Sequence, residues 1–172
     1  MPRLAIADPA THPSFQGAAK APPINIFRGM AACPDVLRGF LGFGGAVKQS
    51  GALSEQEIET VALTTAQFNE CDYCLAAHTK IGQGAGLSGD EVLNIRRGSP
   101  SDPKLKALTA FTRRVLETKG YIADSDLAAV RSAGFSDAAV VAAIGEMALM
   151  TFTALFNHVN HTDIDFPAAP SL

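Results

Sequence analysis

Eight stretches of this chain bring their apolar residues round every three to four positions, and no stretch sustains the alternation of a half-buried strand. They run over residues 24–32, 34–49, 54–70, 72–83, 88–97, 102–119, 124–133 and 136–160. Start and stop signals bracket them. Ser54-Glu-Gln-Glu57 and Ser88-Gly-Asp-Glu91 fit capping boxes, and Ser101-Asp-Pro103, Asp124 or Ser125, and Ser136-Asp137 mark further helix starts. Gly98, Gly120 and Gly134 stand where helices would stop. The pattern predicts an all-α fold, a single-domain bundle of short helices and αα-hairpins. Residues 1–23, rich in Pro and Ala, are expected to form an extended arm, which leaves residues 24–172 as the helical domain.

At 172 residues, with 47% apolar and 18% charged side chains, the chain is long enough to bury a core without disulfide staples. A net charge of −3 argues against a nucleic-acid or anionic-membrane partner. The basic clusters are short (Arg96-Arg97, Lys104 with Lys106, Arg113-Arg114) and read as solvated helix faces. The longest apolar run, Ala138 to Phe156, carries Glu146 near its middle, so a buried central helix is expected there and not a membrane span. Three cysteines do not make a disulfide framework; the odd count and the absence of a signal-like start point to a reducing cytoplasm.

Chemistry concentrates between Glu59 and His78. Cys71 and Cys74 form a Cys-x-x-Cys pair, and His78 follows Cys74 by one helical turn, so the three share a stripe. Asn69 or Asp72 can cap a helix here, placing Cys71 at its mouth, where the helix dipole favours a thiolate. Glu59 lies on the preceding helix; a hairpin could bring it to His78 and complete a carboxylate–imidazole–thiol relay. Other readings stand beside this one: inert buried thiols, or zinc held by Cys71, Cys74 and His78 with His158 or His161. Cys33 reads as a lone structural thiol. Asn157, His158 and His161 end the last helix; there the two histidines can answer the helix dipole, or Asn157 and His158 can line a pocket. Gly84-Ala-Gly86-Leu-Ser-Gly89 matches G-x-G-x-x-G, but it follows a helix, so no dinucleotide site is expected and the glycines serve to end that helix.

The spacing Glu59-x11-Cys71-x-x-Cys74-x3-His78 resembles the alkylhydroperoxidase AhpD-like branch of the carboxymuconolactone decarboxylase family. The resemblance covers about residues 35–90, with weaker echoes in Gly134-Phe-Ser-Asp-Ala-Ala-Val-Val and Phe156-Asn-His158. It implies an all-helical protein that assembles as a trimer or hexamer and reduces hydroperoxides without a metal or other cofactor. Cys74 would be the peroxidatic thiolate, Cys71 the proton donor and then the resolving thiol, and His78 with Glu59 the proton relay. Electrons would come from a lipoyl-bearing protein or another dithiol donor. Tyr73 departs from the pattern, standing where the best-known members carry a histidine; a phenol with a pKa near ~10 can hydrogen-bond or shape the entrance but not do the same proton work. Lactone decarboxylation, the reaction that names the wider family, and a non-enzymatic redox sensor are the competing functions.

Overall fold

The helix α3 (Glu55–Phe68) runs through the centre of the molecule, buried continuously from Glu57 to Ala66. A helix enclosed on all sides must satisfy every polar group internally, and its threonines do so locally. Thr60, Thr64 and Thr65 each donate their hydroxyl to the carbonyl four residues back, at 2.7–2.8 Å. The computed structural model describes residues 1–17 and 20–172. Around α3 stand α1 (Asn25–Met30), α2 (Pro34–Gln49), α4 (Asp72–Gly84), α5 (Gly89–Arg97), α6 (Pro103–Thr118), α7 (Asp124–Ser132) and α8 (Asp137–Asn160). Among the described residues there is no strand, and the architecture is all-α as the periodicity predicts.

Capping chemistry fixes most of the ends. Ser54 closes the full capping box with Glu57, while Ser88, Asp102 and Ser136 cap α5, α6 and α8 through their side chains. The second expected box is only half made, because the Glu91 carboxylate turns away to accept from the Ser101 backbone N–H. Helix α7 starts after Ala123, whose own N–H donates to the Asp126 carboxylate at 3.0 Å, so neither Asp124 nor Ser125 is its cap.

Helix α8 is the second core element, packed against α1, α2, α3, α4 and α6. It is long and apolar enough to cross a membrane, yet about 56% of its most apolar window is buried inside the molecule. Its other face carries an exposed apolar stripe.

The first residues fold back onto the domain. The backbone of Arg3 and Leu4 bonds to Asn160, Ala7 exchanges hydrogen bonds with Arg28, and a short 3-10 turn (Pro13–Phe15) buries Phe15. Ala18 and Ala19, within the expected arm, lie outside the described residues. Residues beyond α8 cross over α1 and α4. Asp165 accepts from the Asn25 N–H and the Tyr73 hydroxyl, and Phe166 stacks edge-on against the Tyr73 ring.

Two expectations about exposure are also overturned. Cys33, expected as a structural thiol, is exposed at the start of α2, because the turn into that helix and its first residues, from Ala32 to Val36, all lie at the surface. Arg96, read as solvated, is only 7% exposed, because α5 packs with its Ile95–Arg96 side toward the interior.

Candidate active site

The turn between α3 and α4 creates the site. Glu70 takes a left-handed conformation, φ 54°, which reverses the chain and leaves Cys71 as the N-cap of α4. Cys71 itself caps the helix, its sulfur accepting from the Cys74 N–H at 3.2 Å, so neither Asn69 nor Asp72 takes that role. Asn69 instead ends α3. Cys71 and Cys74 are joined as a disulfide with their α-carbons 5.3 Å apart.

The two sulfurs are not equivalent. Cys71 is wholly enclosed and absent from any cavity wall described below, whereas Cys74 lines a cavity of about 310 Å³. That cavity lies between α1, α2, α4, α8 and the C-terminal segment. Most of its wall is apolar, with Phe27, Phe40, Leu149 and Phe166 prominent, and its charged groups are Lys48, His78 and Glu146. From α8, the Thr153 hydroxyl lies 3.7 Å from the Cys74 sulfur. The Asn157 amide Nδ2 lies 3.5 Å from Cys74 and 3.7 Å from Cys71, while its Oδ1 has no donor among the described residues.

The antiparallel packing of α3 on α4 brings Glu59 to His78, as the hairpin reading expects. Gly82 lies at the same helix contact, where a β-carbon would press on Leu87 at 3.3 Å and touch the Glu59 β-carbon at an ordinary 3.6 Å. The Glu59 Oε2 and His78 Nδ1 are 2.8 Å apart, with Glu59 only 3% exposed. Burial alone would lower the His78 pKa, but the charge and hydrogen bond of Glu59 override it, and Glu146 adds to them; the imidazole is held above its ordinary range. Glu146 shifts upward, first by burial and further by Glu59, against the opposing pull of His78 and Lys48. A carboxyl so placed keeps its proton to higher pH than an exposed one.

The structure thus gathers Glu59, Cys71, Cys74, His78 and Asn157 in one place. Tyr73 contributes to the same wall, with its hydroxyl accepting from the Ile26 N–H at 3.3 Å and donating to Asp165 at 2.7 Å. Burial, then Asp165, pushes the phenol well above its ordinary pKa, so it ties α1, α4 and the C-terminal segment together and keeps its proton. His158 is not part of the site: on α8 it follows Asn157 by about 100°, which turns it to the exposed face. His161 is exposed as well, at the helix end. Among the described residues no group of three or more His, Cys, Asp or Glu is placed to hold one metal ion.

Glu146, Thr153, Lys48 and Phe166 were not found from sequence. The one signal was Glu146, a lone carboxylate inside a long apolar run, which is costly unless something uses or neutralises it.

The fold and site together define a helical protein with a dithiol–disulfide centre beside a carboxylate–imidazole pair. Residues 34–111 match the model of the carboxymuconolactone decarboxylase family, so the resemblance carried by the motif holds. No curated protein matches the chain in sequence. The fold is shared with the AhpD-core, uncharacterized peroxidase-related protein of Ralstonia eutropha JMP134, with a TM-score of 0.84 at 21% identity over 95% of this chain and 92% of that one. The Agrobacterium tumefaciens protein described as a putative antioxidant defence protein AhpD gives a TM-score of 0.69 at 20% identity, over 79% and 94% of the two chains. A variant of the debrominase Bmp8, solved with 2,3,4-tribromopyrrole, gives 0.73 at 14% identity over 83% and 77%.

Proposed function

We propose that this protein is a thiol-dependent hydroperoxide reductase working through Cys74 and Cys71. The observation that carries the reading is the inequality of the two sulfurs: Cys74 faces an apolar cavity beside His78, while Cys71 lies enclosed behind it. The Cys74 thiolate attacks the distal oxygen of a hydroperoxide, the O–O bond breaks, and the leaving alkoxide takes a proton to become an alcohol. Glu146 and His78, both in the cavity wall, are the groups able to give that proton. Cys74 is left as a sulfenic acid; the Cys71 thiol displaces its hydroxyl as water and closes the disulfide. Two electrons from an external dithiol then restore both thiols.

Asn157 acts on the sulfurs. An amide N–H aimed at Cys74 favours its thiolate over its thiol, whereas the Thr153 hydroxyl gives its proton to the Met150 carbonyl and presents only its oxygen to the sulfur. The aromatic and aliphatic wall suits an alkyl or aryl hydroperoxide better than hydrogen peroxide. A dithiol or lipoyl-bearing protein is the proposed donor, and the cytoplasm the proposed compartment. The exposed stripe of Val141, Ile144, Phe152, Leu155 and Val159 on α8, flanked by Val36 and Phe43 on α2, supports self-association, and a trimer or hexamer is the proposed assembly.

The test is consumption of cumene hydroperoxide with dihydrolipoamide as donor. Wild type should turn over and Cys74→Ser should not, whereas lactone decarboxylation would not require the pair. A bromopyrrole run in the same assay separates the reading from a debrominase; faster turnover of it than of any hydroperoxide would reassign the substrate.

A further inference from the structure

A second cavity, of about 410 Å³, opens on the other side of α3 and is lined by Thr64, Gln67, Phe68, Arg96, Arg97, Arg113 and Leu172. Three guanidinium groups face it and no carboxylate side chain does. Among the described residues none of the three forms an ion pair, although the neighbouring Arg114 pairs with Asp126. Arg96 is the deepest of them. Its Nε donates to Gln67 Oε1 at 3.0 Å and its Nη1 to the Pro170 carbonyl at 2.6 Å, both neutral acceptors that orient the charge without cancelling it. Burial, and then the repulsion of Arg97, works against that charge, with Asp72 opposing from a distance. A buried charge held beside a like charge is costly unless something of opposite sign joins it.

Arg113 reaches the cavity from α6 and passes over the end of α5. Gly98 ends α5 with φ +83°, and a β-carbon there would fall 2.6 Å from Arg113 Nη1. The guanidinium therefore lies against a bare α-carbon, beside the cavity mouth. Position at the end of α5 would explain Arg97 through the helix dipole, but Arg113 stands inside α6 and Arg96 points inward.

We propose that Arg96, Arg97 and Arg113 form a binding site for a small oxyanion, a carboxylate or phosphate group whose attached body rests on Phe68 and Leu172. Guanidinium forks match both anions in bidentate geometry. The site is separate from the disulfide cavity and does not depend on the peroxidase reading.

Thermal unfolding of the full chain at constant ionic strength tests it, with inorganic phosphate or acetate replacing chloride. A ligand that binds only the folded state raises the unfolding temperature saturably. Wild type should show a saturable rise, and Arg97→Gln/Arg113→Gln should need at least tenfold more anion to reach it. Both residues are exposed, so the variant should fold, which circular dichroism checks. A response to phosphate alone assigns a phosphate group, and one to acetate a carboxylate. No rise beyond chloride with either anion, or an identical rise in the folded variant, would overturn the site.

Discussion

Replacing Glu59 with Gln keeps the shape of the α3–α4 contact and removes its charge. In the wild type the 2.8 Å Glu59–His78 contact is nearly dry, with side-chain exposures of 4% and 19%. A hydrogen bond to a charged partner contributes about 1.5–3 kcal/mol, and removing one member of a buried pair also strands the other. The expected cost is therefore roughly 2–3 kcal/mol, or a fall in Tm of roughly 4–12 °C for a chain of this size. The pH dependence carries the sharper information. Because the folded pKa of His78 is raised, its pairing stabilises fully below the unfolded value of about 6.5 and is lost as pH rises through the folded value. The gap between wild type and Glu59→Gln, followed by thermal unfolding from pH 5.5 to 9, should be widest at the acid end and narrow steadily. A gap independent of pH, or one that widens toward pH 9, would show that Glu59 does not hold an imidazolium.

Three further outcomes follow from the same geometry. Glu146→Gln should raise Tm modestly at pH 7.5, because a raised carboxyl pKa means stability is lost as pH climbs from the ordinary carboxylate range through the shifted one; the same variant should slow peroxide turnover if Glu146 supplies the proton. Asn157→Leu removes the amide N–H near both sulfurs and should slow reaction of the reduced protein with hydroperoxide about 10-fold or more at fixed pH, read by stopped-flow. Tyr73→Phe strips the Ile26 N–H and Asp165 of their shared partner and should cost about 2 kcal/mol, with limited proteolysis of the segment after α8 becoming faster.

The helices were legible because their signals are local: a Ser at the N-cap, an acid three residues on, apolar residues at the helical period. The Glu59–Cys71–Cys74–His78 grouping was legible too, since its spacing needed only one hairpin to close. What failed needed contacts that sequence distance hides. Whether Arg96 faces water or the interior depends on how α5 rotates against α3, and whether His158 or Asn157 reaches the sulfurs depends on a single-residue step around α8. Glu146 was visible only as an argument against a membrane span, when the same anomaly marks a carboxylate in the cavity wall. Asp165 and Phe166 sit in a segment with no periodicity, and only the fold brings them over Tyr73.

The central claim is that Cys74, facing the cavity, meets the peroxide first. Reduced Cys71→Ser protein treated with one equivalent of cumene hydroperoxide and a sulfenic-acid trap such as dimedone, then digested for mass spectrometry, tests this directly. The account predicts one adduct, on Cys74, and in the wild type a Cys71–Cys74 disulfide in its place. An unmodified Cys74 in that variant, or an adduct on Cys71 in Cys74→Ser formed equally fast, would contradict it.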